Sequence, residues 1–199
     1  MIRPATLEDR DAIARICRLT GAQGRDATGV FGDDTVLADV YATPYLDGPG
    51  GFCLVWDPGD GAVGYVLGTS DTRAFQQWFV DAWWPAVAAT HPPRTAGDAW
   101  LVPSAADPAR MLIPELEAYP AHLHIDLLPE AQGRGAGRAL IDAACALLAG
   151  RGAPGVHLVA ERANRGAQAF YPRVGFAAVA ADDAVVTFAR RLRPPEVAE

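Results

Sequence analysis

The sequence predicts a single α/β domain, and three observations carry that expectation. The chain has 199 residues, half of them hydrophobic, enough for one domain of ordinary size with a continuous core. A charged fraction of 21% and a mean hydropathy of +0.06 lack the polar, strongly charged composition that keeps chains disordered. In the second half, strand and helix patterns alternate around a glycine-rich loop. The domain is expected to span residues 1–193, with a fraying C-terminal tail at 194–199 that opens on two prolines.

The elements follow from local pattern. A short strand at 2–4 leads into a helix at about residues 8–19, because Thr6, Leu7, Glu8 and Asp9 have the form of a capping box, with Ile13, Ile16 and Cys17 at helical spacing behind it. Beyond a glycine-rich, acidic loop region, residues 52–56 and 62–68 read as the two strands of a hairpin around the turn Asp57, Pro58, Gly59, Asp60, Gly61. From Asp71 to Ala89, Phe75, Trp78, Phe79 and Trp83 recur at helical spacing and read as core, and Pro92–Pro93 end that helix. Residues 92–118 hold several prolines and only short apolar runs, and are expected as a long surface excursion. His122, His124 and Asp126 alternate with Leu123 and Ile125 in a strand, followed by the loop at 129–137 and a helix carrying Leu140, Ile141, Ala144, Cys145, Leu147 and Leu148 up to Gly150. A strand at 156–160, a helix at 164–174 and a last strand at 184–188 complete the chain.

Composition excludes several chemistries. All 17 basic residues are arginine, so a P-loop lysine, a Schiff-base lysine and a lysine nucleophile are ruled out, and the arginine bias with abundant Ala, Gly and Pro fits a bacterial source of high GC content. A net charge of -7 argues against nucleic acid or an anionic membrane as the main partner. Cys17, Cys53 and Cys145 are far apart in apolar contexts with no CxxC pair, which predicts buried thiols in a reducing compartment. With neither a leader-like apolar start nor a run of 18 apolar residues, the expected location is the cytoplasm.

The loop Gln132, Gly133, Arg134, Gly135, Ala136, Gly137 carries the chemistry. Glycines at 133, 135 and 137 let successive amides point into one concave nest, and the following helix adds its positive N-terminal end, which makes an anion site. Charge-assisted bonds of this kind contribute roughly 1.5–3 kcal/mol each, enough for a few amides to hold a pyrophosphate without lysine or metal. The spacing is not the GxGxxG of dinucleotide folds, and the next strand opens Gly155, Val156, His157 without the acidic residue those folds need.

Those six residues resemble the [Gln/Arg]-x-x-Gly-x-[Gly/Ala] signature of the GNAT superfamily of acyl-CoA-dependent N-acyltransferases. Asn164, Ala167, Phe170, Tyr171, Gly175 and Phe176 match its downstream Asn-x-x-Ala-x-x-Phe-Tyr-x-x-x-Gly-Phe segment, in the right order. Tyr119, Pro120, Ala121, His122, Leu123, His124, Ile125 and Asp126 look like the acetyltransferase-like domain at the C-terminus of O-GlcNAcases and its bacterial stand-alone relatives. The resemblance implies a mixed, twisted sheet flanked by helices, whose central parallel strands, here 121–128 and 155–160, splay apart around acetyl-CoA. It implies that the pyrophosphate meets the loop from Gln132 through Gly133, Arg134, Gly135, Ala136, Gly137 and Arg138. The pantetheine arm would meet Ile125, Leu127, Leu128 and Asn164, and Tyr171 would lie near the sulfur. The acetyl acceptor would be an amine, with a homodimer as an allowed assembly. A non-catalytic acetyl-CoA-binding module is the alternative.

An alkylammonium is mostly protonated at pH 7, so a base or water path is required on the acceptor side. His122, His124 and Asp126 share one face of their strand and are the candidates for it, beside Tyr171 as hydrogen-bond donor to the leaving sulfur. The same three residues have a His-x-His-x-Asp spacing, but no metal is expected, since the next ligand type, His157, is on another strand.

Overall fold

The computed structural model describes residues 1–192, so the expected domain boundary at 193 and the tail at 194–199 lie outside the described residues. Seven strands form one mixed sheet in the order β1-β2-β3-β4-β5-β7-β6. They are β1 (Ile2–Pro4), β2 (Gly51–Trp56), β3 (Gly64–Thr69), β4 (Ala121–Leu127), β5 (Gly155–Glu161), β6 (Ala177–Ala181) and β7 (Val185–Arg191). Every neighbouring pair is antiparallel except β4 and β5.

That one parallel pair positions the site. β4 and β5 are in register only at Ala121 with Val156 and His122 with His157, after which they part, leaving the rest of β4 without a neighbour on that side. The expected α/β fold with splayed central strands is the fold observed.

Helices cover both faces. On one face pack α1 (Arg10–Thr20), α2 (Val36–Tyr41), α3 (Thr72–Trp78), α4 (Trp84–Val87) and α5 (Ala96–Ala105), around a core that includes Ile13, Tyr45, Tyr65, Leu67, Phe75 and Phe79. On the other lie α6 (Ala136–Gly150) and α7 (Arg165–Arg173), around Leu123, Leu140, Ile141, Leu158, Tyr171 and Phe188. Between α3 and α4 the chain widens into a π turn at Phe79–Trp83, just ahead of Pro85, which has no N–H to offer a regular helical ladder. Of the aromatic residues of this stretch, Phe75 and Phe79 are fully buried and Trp84 nearly so, while Trp78 and Trp83 are half-buried and pack against that core.

Three elements correct the sequence reading. The acidic loop region contains α2, the excursion at 92–118 contains α5, and Ala177–Ala181 adds an edge strand. Helix α5 is fixed at its start by a capping box between Thr95 and Asp98, and the buried Asp98 carboxylate also accepts from the amides of Gly32 and Arg94. The cysteines are free and buried. No helix among the described residues is long and apolar enough to cross a membrane.

Candidate functional site

Where β4 and β5 part, a cleft of about 1110 Å³ opens, walled by β4, β5, the glycine loop, α7 and the end of α1. The backbone of β4 explains what faces it. The Leu128 amide turns to the Val63 carbonyl beside β3, so by the two-residue alternation of a strand Ile125 and Leu127 turn their amides the other way, into the gap that β5 has left. Both residues line the cleft.

At the cleft's other end the loop is built as expected. Gly133 and Gly135 have φ of 70° and 80°, the left-handed region that favours glycine, and Gly135 caps α6. The first helical bond runs from the Ala139 amide to the Gly135 carbonyl, and among the described residues the amides of 133–138 have no protein partner. Unpaired amides in sequence at a helix start constitute an anion cradle. Gly137 contributes close packing: a Cβ there would meet the Leu127 and Phe170 side chains at 3.2 Å, and they would have to give by a few tenths of an ångström.

Five of the expected contact residues are placed as follows, two of them, Leu128 and Arg134, off the cleft lining. Leu128 is buried among the α1-side core and its amide is taken by Val63, so it does not line the cleft. The Gln132 side chain folds back to donate to the Leu127 carbonyl at 2.9 Å, tying the loop to the strand end. Arg134 is exposed and its side chain stands off the cleft wall, while Arg138 lines the cleft with its guanidinium donating to the Arg173 carbonyl at 2.6 Å. Asn164 lines the cleft, but its Oδ1 accepts from the Ala167 amide at 3.0 Å as the cap of α7, leaving the side-chain N–H groups as its donors.

His124, Asp126 and Tyr171 are brought together on the cleft wall, and His122 is not. Asp126 accepts from the Tyr65 hydroxyl at 2.6 Å; burial raises its pKa against the opposing effect of that bond. Tyr171 sits among Phe170, Phe176 and Phe188, and burial together with the Asp126 charge raises its pKa, so the phenol stays protonated. His124 lies 3.0 Å from the Tyr45 hydroxyl, and burial, helped by the Arg110 guanidinium, lowers its pKa to about 4. His122 is buried behind it with both ring nitrogens engaged, by Tyr45 at 2.6 Å and Thr72 at 2.9 Å, which removes it from contact with anything in the cleft. Burial lowers its pKa well below the ordinary histidine value.

Sequence reasoning missed the far wall. Cys17, Thr20, Tyr41 and the loop after α1 line the cleft opposite β5. Gln23, at φ of 59°, reaches across to donate to the Glu161 carboxylate at 2.6 Å, a contact between residues 138 apart that no local pattern announces. Asp39 and Asp33, outside the cleft lining, are held by Thr43, Thr35 and His91. Among the described residues no group of three His, Cys, Asp or Glu side chains is placed to hold a metal.

A sequence profile described as the acetyltransferase (GNAT) family matches residues 109–176, which contain β4, the glycine loop, α6, β5 and α7. The crystal structure of a protein named SsHAT is 42% identical, with a TM-score of 0.86, and the match covers 96% of this chain and 97% of that one. A GCN5-related N-acetyltransferase from Kribbella flavida shares the fold at 16% identity and a TM-score of 0.58, covering 96% and 97%. The PaiA N-acetyltransferase of Thermoplasma acidophilum, solved in complex with coenzyme A, does so at 13% identity and a TM-score of 0.58, covering 96% and 98%. With its glycine loop, its splayed strands and a relative this similar over nearly its whole length, the chain belongs to the acetyltransferase (GNAT) family.

Proposed function

We propose that this protein transfers the acetyl group of acetyl-CoA directly to a primary amine. The observation that carries this reading is the run of unpartnered amides at 133–138, opening onto the same cleft that His124, Asp126 and Tyr171 line. Bound acetyl-CoA supplies an acyl group already activated as a thioester. The loop amides hold its pyrophosphate, the backbone of Ile125 and Leu127 pairs with the pantetheine arm as an added strand would, and the Ile125 amide donates to the thioester carbonyl oxygen.

On the acceptor side, Asp126 is the negative group on the cleft wall closest to Tyr171 in its electrostatic effect, and its carboxylate receives the ammonium and takes up its proton. Tyr171, kept protonated, donates to the sulfur as the C–S bond breaks; with reference pKa values near 10 and 8.5, complete transfer of its proton would be uphill by roughly 2 kcal/mol, so it stabilises the thiolate by a hydrogen bond. Within the family, we propose kinship with the acetyltransferase-like domain of O-GlcNAcases and its stand-alone relatives, a reading supported by the likeness of residues 119–126. Three free, buried cysteines support work in a reducing, cytoplasmic compartment.

Calorimetry with CoA, followed by thiol release from acetyl-CoA in the presence of small amines, amino sugars, polyamines and lysine peptides, tests the proposal. Binding with amine-dependent thiol release is the expected result. Binding with no transfer to any amine would make the chain a binding module, and no binding would overturn the site.

A further inference from the structure

Behind the cleft wall lies a chain of hydrogen bonds whose direction is fixed at one end. The Thr72 hydroxyl is 2.6 Å from the Pro120 carbonyl oxygen, which carries no proton, so Thr72 must donate to it. Its one proton used, Thr72 accepts at 2.9 Å from Nδ1 of His122. A neutral imidazole protonated at Nδ1 has its lone pair at Nε2, and there the Tyr45 hydroxyl donates at 2.6 Å. Tyr45 is then left as acceptor to Nε2 of His124 at 3.0 Å. His124 is thereby the Nε2–H tautomer with its lone pair on Nδ1. That nitrogen has no hydrogen-bond partner among the described residues and is absent from the sealed, unpaired atoms of the interior, while the ring lines the cleft.

We infer that Thr72, His122 and Tyr45 are positioning residues that hold His124 as the Nε2–H tautomer, so that its Nδ1 accepts an N–H of the acceptor amine. The amine rests on the acetyl-transfer reading above; the tautomer does not. The opposite tautomer would turn an N–H toward the amine, where it could bond only the lone pair that must attack the thioester. His124 remains neutral because it is buried and the groups facing it favour no positive charge: Arg110 from the segment after α5, His122 beside it on β4 and His157 on β5, with the neutral hydroxyls of Tyr41 and Tyr45 completing its surroundings. Asp126, two residues along β4, bonds Tyr65 and stays the charged partner of the ammonium. Division of labour follows: Asp126 receives the proton, and His124 orients the nitrogen that lost it.

The test needs no substrate at first. A long-range proton–nitrogen correlation spectrum of the histidine-labelled protein at pH 7, with His124→Gln to assign it, should show His124 with a pyridine-type Nδ1 and a protonated Nε2. Thr72→Val and Tyr45→Phe should each move that signature toward the other tautomer. Each should also raise the amine KM by roughly three- to tenfold, the range of one neutral hydrogen bond, with CoA affinity unchanged. A His124 protonated on Nδ1 in the parent protein overturns the inference, even if amines are acetylated. So does an unmoved tautomer in a folded Thr72→Val protein, which serves if Tyr45→Phe fails to fold. The stated tautomer with no acetylation of any amine would instead overturn the amine-holding role together with the acetyl-transfer reading.

Discussion

Replacing Gly135 with valine separates the loop's conformation from its packing. The residue has φ of 80°, yet a Cβ built on it meets nothing within 4 Å, so valine adds strain without a clash. A residue with a Cβ in the left-handed region costs roughly 1–2 kcal/mol, and a β-branched one lies at the upper end. In a chain of 199 residues, about 1 kcal/mol lowers the melting temperature by about 2–4 °C, so a fall of roughly 2–8 °C is expected if the loop keeps its shape. If it relaxes instead, the melting temperature is spared but the amides at 133–138 turn away from their common centre. Losing one amide bond to a charged phosphate contributes roughly 1.5–3 kcal/mol, a tenfold or greater loss of affinity. Calorimetry with CoA and thermal unfolding on the same samples read both quantities. Gly135→Asn is the control, because asparagine tolerates this conformation and should stay close to the parent. A folded Gly135→Val protein with parental CoA affinity would refute the assignment of the loop to the pyrophosphate.

Tyr171→Phe should lower turnover by about 10²-fold or more while CoA affinity and melting temperature hold, since the hydroxyl makes no hydrogen bond within the described protein; parallel losses of binding and turnover would mark a structural role. Asp126→Asn should suppress amine transfer at neutral pH. Because the folded-state pKa of Asp126 is raised, kcat/KM of the parent should fall as pH drops through that raised value, and an unaltered acidic limb in the variant would exclude Asp126 as the base. Asp9 titrates in the opposite sense: Arg3 donates to it at 2.7 and 2.8 Å and lowers its pKa from 3.8 to about 2, so its contribution to stability is present above about pH 4 and lost as pH falls toward 2. The difference in melting temperature between the parent and Asp9→Asn should therefore narrow over that interval, and a constant difference would contradict it.

Most of the proposed donor half of the site is legible in sequence because its signals are local. The β4 alternation, the glycine spacing and the apolar face of α6 occupy one continuous stretch, and each is a short-range consequence of backbone geometry. The proposed acceptor half is assembled from afar. Tyr45 meets His122 across 77 positions, Tyr65 meets Asp126 across 61 and Gln23 meets Glu161 across 138, so only topology brings them together. The missed elements fail for other reasons. Helix α5 holds Gly97, Pro103 and four consecutive apolar residues, and has almost no amphipathic period; only the Thr95–Asp98 spacing announces it. Strand β6 is four alanines and a valine, a composition with little strand preference that pairs because β7 offers it an edge.

In the proposed reaction one strand serves both substrates, and its register decides which group meets which. On β4, Leu123, Ile125 and Leu127 pack toward α6 and α7, while His122, His124 and Asp126 face the α1 side opposite Thr69, Leu67 and Tyr65. A slip of one residue against β3 would exchange the two sets, burying His124 and Asp126 among aliphatic side chains and severing both the Tyr45 and Tyr65 bonds. Gly64 and Gly68 oppose such a slip. They stand across from Leu127 and Leu123, and a Cβ at either would collide, with the Leu127 side chain in one case and with the His122 carbonyl in the other. Any other residue of β3 brought to those positions would carry that Cβ. The register of the β3–β4 pair thus sets, in one step, which backbone groups are turned into the gap for the proposed donor and which side chains line the wall proposed for the acceptor, and the glycine loop adds to a geometry already decided.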